Sequence, residues 1–270
     1  MSKIKWYYTD SLAEASSLLR EKNILPHGGG THLNNIDLSH VNGLLDLSGL
    51  ELNYIKQDGD IIEIGSMATY ADVIEKLQAI SPNCMLLQTL QNSANTPLRN
   101  RITIGGSLGH IPQWSDLIGA LLALDAKVIL AGKHEGEYDI SRFWNDDELR
   151  EGSLITAVKF KDYPHKSYHY RDVKTKNDMP LFTISTLFDM DNDVIANTHI
   201  IIVGTKDRVS KIVELEKYLT GKTIQQLDEQ TVIDLVNVEF VGNRSTDNDY
   251  LAHKTKIETW RSIFRAMERT

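Results

Sequence analysis

The sequence predicts an α+β fold built from more than one lobe. Two β-patterned apolar runs, at 181–188 and 199–204, precede helical patterns at 209–219 and 248–267. Strands and helices that are segregated in this way are typical of an α+β domain. The chain has 270 residues, of which 41% are hydrophobic and 24% are charged, and this is enough to bury the cores of two closely packed lobes.

The first part of the chain predicts a capped helix and a β-hairpin. Ser11 and Glu14 form a capping-box pattern ahead of apolar residues at helical spacing, which predicts a helix over 11–20. Asp58 and Gly59 make a turn between two β-patterned runs, which predicts a hairpin. Apolar periodicity predicts the other elements: strands at 24–25, 44–47, 53–56, 61–64, 128–130 and 154–160, and helices at 70–80, with Thr69 as its cap, and 85–90.

Three consecutive glycines follow the predicted strand at 24–25. A residue without a Cβ lets the backbone approach a ligand closely, and several N–H groups can then turn the same way, as a diphosphate requires. The run is therefore a candidate phosphate-binding loop. Its members are His27, Gly28, Gly29, Gly30, Thr31 and His32.

A second glycine pair lies between a strand-like and a helical pattern. Ile102–Ile104 reads as a strand that leads into Gly105 and Gly106. A helical pattern begins behind Ser115 and Asp116, which are good N-terminal residues for a helix. The glycine-rich connector is a second candidate diphosphate site by the same backbone argument. Judged by turn preference alone, an isolated Gly-Gly is more often only a tight turn.

The segment from Arg99 to Ala126 resembles the second flavin-binding signature of the FAD-binding subunits of molybdenum hydroxylases, the xanthine dehydrogenase and carbon monoxide dehydrogenase group. It begins Arg-Asn-x-x-Thr-Ile-Gly-Gly-Ser and ends Ser-Asp-Leu-x-x-Ala-Leu-Leu-Ala-Leu-Asp-Ala. The resemblance implies that the Thr-Ile-Gly-Gly turn lies against the FAD diphosphate and that an aspartate contacts the nucleotide end. The family usually has Asn where this chain has Ser107. The implied contacts in this segment are Thr103, Ile104, Gly105, Gly106, Ser107 and Asp116.

The resemblance implies further contacts elsewhere in the chain. The first glycine run is similar to Ala-Gly-Gly-Thr-Asp-Leu, with Thr31 at the family threonine and His32 where an acid is common. Leu154 matches a strand leucine that packs near adenine, although an apolar strand residue is more often ordinary core. Arg171, seven places before Asp178, matches a basic residue of the family, although a solvent-facing arginine is the simpler alternative.

His27 and His32 invite two other roles. Some distant flavoproteins of similar fold attach flavin covalently through an imidazole, and two histidines can also begin a metal site. We predict neither a covalent bond nor a metal site, because no third ligand is evident and a histidine in a polar loop is most often a hydrogen-bonding or solvent-facing residue.

The resemblance implies an oxidoreductase subunit whose cofactor is FAD. Electrons would leave a substrate at a large molybdopterin subunit, cross an iron–sulfur subunit, and pass from FAD to NAD or another acceptor. Cys84 is the one cysteine of the chain, so the chain by itself offers no four-cysteine cluster. No side chain need act as an acid or base, so no catalytic residue is predicted. An accessory subunit that binds flavin without turnover is the alternative.

The resemblance also implies a domain division. A two-lobed FAD-binding domain is expected over residues 1–165, with lobes at about 1–55 and 56–165, and a smaller C-terminal α+β domain over 166–270.

Composition argues against several other classes of protein. The net charge is −8, with 29 Lys and Arg against 37 Asp and Glu, so a general nucleic-acid surface is not expected. No apolar run approaches the roughly 20 residues of a membrane span. The first residues lack the apolar core of a signal peptide, so we expect a cytoplasmic protein.

A serine esterase can be assembled from the same residues. The run 105–109 has the G-x-S-x-G pattern around Ser107, and 27–30 has the HGGG pattern that supplies oxyanion-hole N–H groups in some esterases. A nucleophile elbow needs a helix that begins at the serine, whereas helical periodicity here begins only behind Ser115. We therefore favour the flavoprotein interpretation.

Overall fold

The computed structural model describes residues 4–21, 23–33, 36–110, 113–176, 178–242 and 246–268. These residues form a mixed fold of helices and sheets, so the α+β prediction is confirmed. The strands are β1 (Lys5–Tyr8), β2 (Ile24–His27), β3 (Gly43–Asp46), β4 (Ile55–Asp58), β5 (Ile61–Gly65), β6 (Lys127–Gly132), β7 (Gly136–Asp139), β8 (Ser153–Lys161), β9 (Lys166–Asp172), β10 (Phe182–Asp191), β11 (Val194–Thr205) and β12 (Arg208–Lys211). The helices are α1 (Leu12–Leu19), α2 (Tyr70–Ile80), α3 (Met85–Asn92), α4 (Thr96–Arg99), α5 (Ile104–Gly109), α6 (Asp116–Ala123), α7 (Ile140–Asn145), α8 (Asp147–Arg150), α9 (Val213–Leu219), α10 (Glu229–Leu235) and α11 (Asn248–Glu268).

By packing, the described residues fall into two compact units. The first unit lies within Met1–Ile80, Asn95–Ile111 and Asp125–Asp162. The second lies within Ser81–Ala94, Pro112–Leu124 and Tyr163–Thr270. Two segments that precede residue 165, those with α3 and α6, therefore pack with the later part of the chain. The functional division into domains at residue 165 stays a prediction.

The first unit begins with a parallel sheet of the order β1-β3-β2. Helix α1 joins β1 to β2 and starts at Ser11, whose side chain accepts the Glu14 N–H, as the capping pattern predicts. β2 ends at His27, so the three glycines leave directly from the end of a paired strand. The apolar cluster of this region consists of Ala15, Ile24, Leu45, Leu47, Leu50, Leu52 and Leu154.

An antiparallel sheet of the order β4-β5-β8-β6-β7 completes the first unit. The predicted hairpin is confirmed, because Asp58 pairs with Ile61 and Gly59 has a φ of +58° in the intervening turn. α2 follows, and its start is capped reciprocally by Thr69 and Asp72. The apolar residues Ile62, Ile64, Val73 and Leu77 are fully buried under these elements.

The second unit is built on the antiparallel sheet β12-β11-β10-β9. α6 packs on β10 and β11, and α11 packs on β9 and β10. The approach of α6 is close, because a Cβ at Gly119 would lie 2.8 Å from Ser185 Oγ. Phe182 and Phe188 of β10 are fully buried in the apolar core. From β9 onward the strands of this unit precede its helices α9, α10 and α11, which is the α+β order that the sequence predicts.

Two element predictions are wrong, and tertiary contacts explain both. Ile102–Ile104 is not a strand: Thr103 makes a single bridge with Thr69 and then caps α5. The helix predicted over 209–219 starts only at Val213, because the residues before it pair with β11 as β12. Short β-branched runs are ambiguous by periodicity, and the pairing partner decides their state.

No helix among the described residues is long and apolar enough to cross a membrane.

Candidate functional site

The first glycine loop, residues 27–32, packs against the segment that precedes α5. A Cβ at Gly29 would lie 1.5 Å from the Arg101 carbonyl oxygen, so only glycine fits there. A Cβ at Gly28 would lie 3.0 Å from Thr103 Oγ1. Gly30 has a φ of +71°, a left-handed conformation that glycine adopts without strain. The structure thus brings the two glycine segments of the sequence side by side.

Backbone N–H groups of the first glycine loop have no protein acceptor among the described residues. This holds for Gly28, Gly29, Gly30 and Thr31, although the loop is half-buried. Unpaired backbone donors are uncommon away from solvent, because each costs free energy when no acceptor is present. Consecutive free donors in a glycine-rich turn form a concave site for an anion. The loop therefore fits the diphosphate of FAD.

The second glycine segment, residues 103–107, has a different backbone arrangement. Gly105 and Gly106 lie in the first turn of α5 rather than in a connector between a strand and a helix. The Gly106 N–H donates to Thr103 Oγ1 at 3.1 Å, and the Gly105 N–H donates to Ser66 O at 2.8 Å. The N–H groups of Ile104 and Ser107 are also bonded, to Ala68 O and Thr103 O. These donors are already used within the chain, so the predicted diphosphate contacts of this segment stay a prediction.

Gly105 has a packing role that the sequence interpretation did not consider. A Cβ at this position would lie 2.7 Å from Ser66 Cβ and 3.0 Å from Ser66 O. Glycine therefore allows α5 to lie directly on the chain after β5.

Ser107 does not have the surroundings of a nucleophile. Its hydroxyl donates to Thr103 O at 3.0 Å and accepts from the Tyr70 hydroxyl at 2.9 Å. A nucleophilic serine instead needs a base, commonly histidine, as the acceptor of its proton. Ser107 is also the fourth residue of α5, not the residue at which a nucleophile elbow would start the helix. The geometry does not fit the esterase alternative.

A ring stack connects His32 of the first glycine loop to His110, the residue after α5. The rings of His32 and His110 have centroids 3.1 Å apart and planes inclined by 19°. Burial lowers the pKa of His32, and burial together with the neighbouring His32 lowers the pKa of His110. Both shifts favour the neutral form of the ring.

His27 is held from two sides at the start of the loop. Its Nδ1 lies 3.8 Å from Asp46 Oδ2, and its ring meets the edge of Trp6 at a centroid distance of 4.9 Å. Among the described residues, no group of three or more His, Cys, Asp or Glu side chains has the arrangement of a metal site.

Leu154 lies in the apolar cluster of the first unit and is 3% exposed. The other members of this cluster are core residues of α1, β2, β3 and the segment after β3. Its predicted contact with adenine stays a prediction.

Asp116 and Arg171 belong to the second unit, where they contact each other. Arg171 Nε donates to Asp116 Oδ1 at 2.7 Å, and Ser93 Oγ donates to Asp116 Oδ2 at 2.8 Å. Burial alone would raise the pKa of Asp116, but His169 and Arg171 outweigh it, so the pKa is lowered and the side chain is a carboxylate. Arg171 also donates to Asp178 O at 2.6 Å, so it is not the solvent-facing arginine of the simpler alternative. Their contact with FAD stays a prediction.

Three contributors to these arrangements were missed by sequence reasoning. Arg101 reaches Gly29, His110 stacks on His32, and Ser93 holds Asp116. Arg101 and Gly29 are 72 positions apart, so no local spacing relates them. The only available signal was that Arg101 stands two residues before Thr103 in the recognised segment.

The sequence matches the family described as the FAD binding domain in molybdopterin dehydrogenase over residues 2–160. The chain belongs to this family. It is 24% identical over 238 residues to the glyceraldehyde dehydrogenase medium chain of Sulfolobus acidocaldarius, a match that covers 84% of each chain. It is 30% identical over 166 residues to the nicotinate dehydrogenase FAD-subunit of Eubacterium barkeri, covering 58% of this chain and 56% of that subunit.

The fold also matches a solved structure of the family. A chain of the carbon monoxide dehydrogenase from Hydrogenophaga pseudoflava, in a form that lacks the Mo-pyranopterin moiety, superposes with a TM-score of 0.89 at 19% identity. The match covers 98% of this chain and 97% of the other. The predicted family and its cofactor, FAD, are confirmed, and the chain is an FAD-binding oxidoreductase subunit of the molybdenum hydroxylase family.

Proposed function

We propose that this chain holds the diphosphate of FAD at the first glycine loop and relays electrons within a multi-subunit dehydrogenase. An iron–sulfur partner would deliver the electrons, and NAD or another acceptor would remove them. The observation that carries the proposal is the row of loop N–H groups, from Gly28 to Thr31, that have no acceptor among the described residues. Donors left open in a half-buried loop indicate an anionic ligand.

The source of the electrons is part of the proposal. Cys84 is the one cysteine of these 270 residues, so the four thiolates of an iron–sulfur cluster would lie outside them, on the proposed partner. The substrate of the enzyme would be oxidised on a large molybdopterin subunit. When bound, FAD supplies the redox chemistry, taking electrons one at a time and passing them to an acceptor.

The residues of this chain would position the cofactor rather than transfer protons. The first glycine loop would bind the diphosphate, and the 103–107 segment, which the loop contacts at Thr103, would add the cofactor contacts that the resemblance implies. Asp116, held as a carboxylate by Arg171, would accept hydrogen bonds from the nucleotide end, and Leu154 would contact adenine. No catalytic side chain is required in this scheme.

Purification of the tagged full-length chain from its native cell tests the proposal. The complex should contain an iron–sulfur polypeptide and a larger molybdenum-containing polypeptide, identified by mass spectrometry and metal analysis. If NAD is the acceptor, anaerobic NADH should reduce the flavin of the complex and then its iron–sulfur clusters, as followed by visible absorbance and electron paramagnetic resonance.

Two results would contradict this scheme. A chain that runs alone and is reduced directly by NADH or a small organic donor would be a self-sufficient flavoenzyme. A complex that turns over with its flavin permanently oxidised would make the chain the accessory flavin-binding subunit.

A further inference from the structure

We propose that Arg101 is a positioning residue for the FAD diphosphate. It would hold the Gly29–Gly30 peptide of the first glycine loop in one orientation and would place a positive charge near the loop. This inference rests on the proposed role of the first glycine loop in diphosphate binding.

The side chain of Arg101 is tied to one carbonyl group of the loop. Its Nε and Nη2 atoms both donate to Gly29 O, at 3.3 and 3.1 Å. In a trans peptide the C=O and the following N–H point in opposite directions. The Gly30 N–H is therefore directed away from the guanidinium as long as Arg101 holds the Gly29 carbonyl.

The backbone of Arg101 contacts the same glycine. A Cβ at Gly29 would lie 1.5 Å from Arg101 O, so main chain and side chain of one residue enclose the Gly29 peptide. The backbone of Arg101 is itself fixed, because its N–H donates to Leu98 O at 2.9 Å and Tyr70 N–H donates to Ile102 O at 2.9 Å. Arg101 is thus fixed at both its backbone and its side chain, and it holds the loop at Gly29.

Arg101 also supplies charge where the loop has none. The loop N–H groups are neutral dipoles, and Asp46, which lies 3.8 Å from His27 Nδ1 at the loop start, would oppose an anion. Arg101 Nη1 has no acceptor in the part of the chain that the structure describes, and the side chain is exposed. A guanidinium with open N–H groups matches the geometry of phosphate oxygens better than an ammonium does.

The test compares flavins with and without a diphosphate on the flavin-free full-length chain. Dissociation constants for FAD and riboflavin are measured by flavin fluorescence for the parent, Arg101→Gln, Arg101→Lys and Arg142→Gln. Arg142 is the matched control, because it is an exposed arginine of the same unit that pairs with Asp146 at 3.9 Å. Circular dichroism and Tm establish that each variant is folded.

Arg101→Gln should weaken FAD binding about tenfold to hundredfold, the factor expected for a charge-assisted hydrogen bond, and leave riboflavin binding unchanged. Its FAD affinity should depend less on salt concentration than that of the parent. Arg101→Lys should keep the salt dependence of the parent. Its FAD affinity should lie between those of Arg101→Gln and the parent, because lysine has the positive charge but lacks the planar set of N–H donors of a guanidinium. Arg142→Gln should match the parent.

Three outcomes separate the possible failures. If Arg101→Gln binds FAD like the parent while Gly29→Ala weakens it, the arginine inference is wrong and the loop role stands. If neither variant changes the ratio of FAD to riboflavin affinity, both the arginine inference and the proposed role of the loop in diphosphate binding are wrong. If Arg101→Gln weakens both flavins equally, Arg101 serves the fold and not the diphosphate.

Discussion

The two glycine segments look equivalent in the sequence and differ in what their backbones can bind. In the first glycine loop, the N–H groups from Gly28 to Thr31 have no acceptor among the described residues. In the second segment, those of Gly105 and Gly106 are bonded to Ser66 O and Thr103 Oγ1. In both segments a glycine allows close approach to a neighbouring backbone, Arg101 in the first and Ser66 in the second, but only the first leaves its N–H groups without an acceptor among the described residues.

This difference shows that glycine content alone does not make an anion site. Glycine removes a steric barrier, and the barrier can be removed for a ligand or for another part of the protein. At Gly105 the neighbour is Ser66, whose carbonyl oxygen accepts the Gly105 N–H, and the Gly106 N–H is used to cap α5. The useful question for each segment is which acceptor takes each N–H group. Substitutions in the two segments should therefore have different effects.

The largest effect is expected for Gly29→Ala. The new Cβ would lie 1.5 Å from Arg101 O, so the loop has to move and its donors lose their arrangement. We expect the free energy of unfolding to fall by about 1–3 kcal/mol, as for other overpacked sites. The free energy of FAD binding should fall by a larger amount than the free energy of unfolding. Chemical denaturation and fluorescence titration with FAD measure the two quantities.

Gly109→Ala is the matched control for this change. Nothing lies within 4 Å of a Cβ at Gly109, at the end of α5. Alanine there should leave FAD affinity unchanged and leave stability equal or slightly higher, because alanine favours a helix. Equal FAD affinity for the Gly29 variant and the control would show that the first loop is only a turn.

A smaller effect is expected for Thr103→Ala in the second segment. Thr103 Oγ1 caps α5 by accepting the Gly106 N–H, and loss of such a cap costs about 1 kcal/mol. Thr103→Ser keeps the hydroxyl and should retain most of the stability. Thermal unfolding of the three proteins is the measurement. A Thr103→Ala variant as stable as the parent would mean that the cap contributes nothing to α5.

Ser107→Ala should have a still smaller effect. It removes the hydrogen bonds to Thr103 O and Tyr70, and the free energy of unfolding should fall by about 1 kcal/mol or less. The free energy of FAD binding should also change by no more than about 1 kcal/mol, because Ser107 would supply at most one hydrogen bond to the cofactor. A fluorophosphonate probe should not label Ser107 in the parent. Labelling at this serine, or an ester hydrolysis that disappears in the variant, would restore the esterase hypothesis.

The smallest effect concerns pH and the His32–His110 stack. The pKa of His32 is lowered below its ordinary value of 6.5, so the unfolded chain binds more protons than the folded chain as the pH falls through this region. The contribution of His32 to stability is therefore fully present above about pH 6.5 and is lost as the pH falls below this value. His32→Gln should flatten the dependence of Tm on pH, whereas His253→Gln, at an exposed position of α11, should not. Equal slopes for the two variants would refute a contribution from the stack.

The sequence predicted elements well where the determinants are local. The cap at Ser11, the Asp58-Gly59 turn and the helix Tyr70–Ile80 depend on neighbouring residues, and the structure has all three. It was less informative for short β-branched segments. Thr103 became a cap and Arg208–Lys211 became a strand because of contacts with distant parts of the chain.

The predictions for the candidate site also depended on local residue patterns. The glycine runs alone pointed to two candidate diphosphate sites, because glycine lets the backbone approach a ligand closely. FAD and the family were implied by the resemblance of the segment from Arg99 to Ala126.

Taken alone, then, the sequence determined the family, the cofactor and the elements whose caps and turns are local. Only the tertiary structure decided which glycine donors stay open, that Arg101 holds Gly29, and that Asp116 is paired with Arg171. The reason is that a hydrogen bond depends on where its partner lies in space. For these residues the partners are 72 and 55 positions away along the chain.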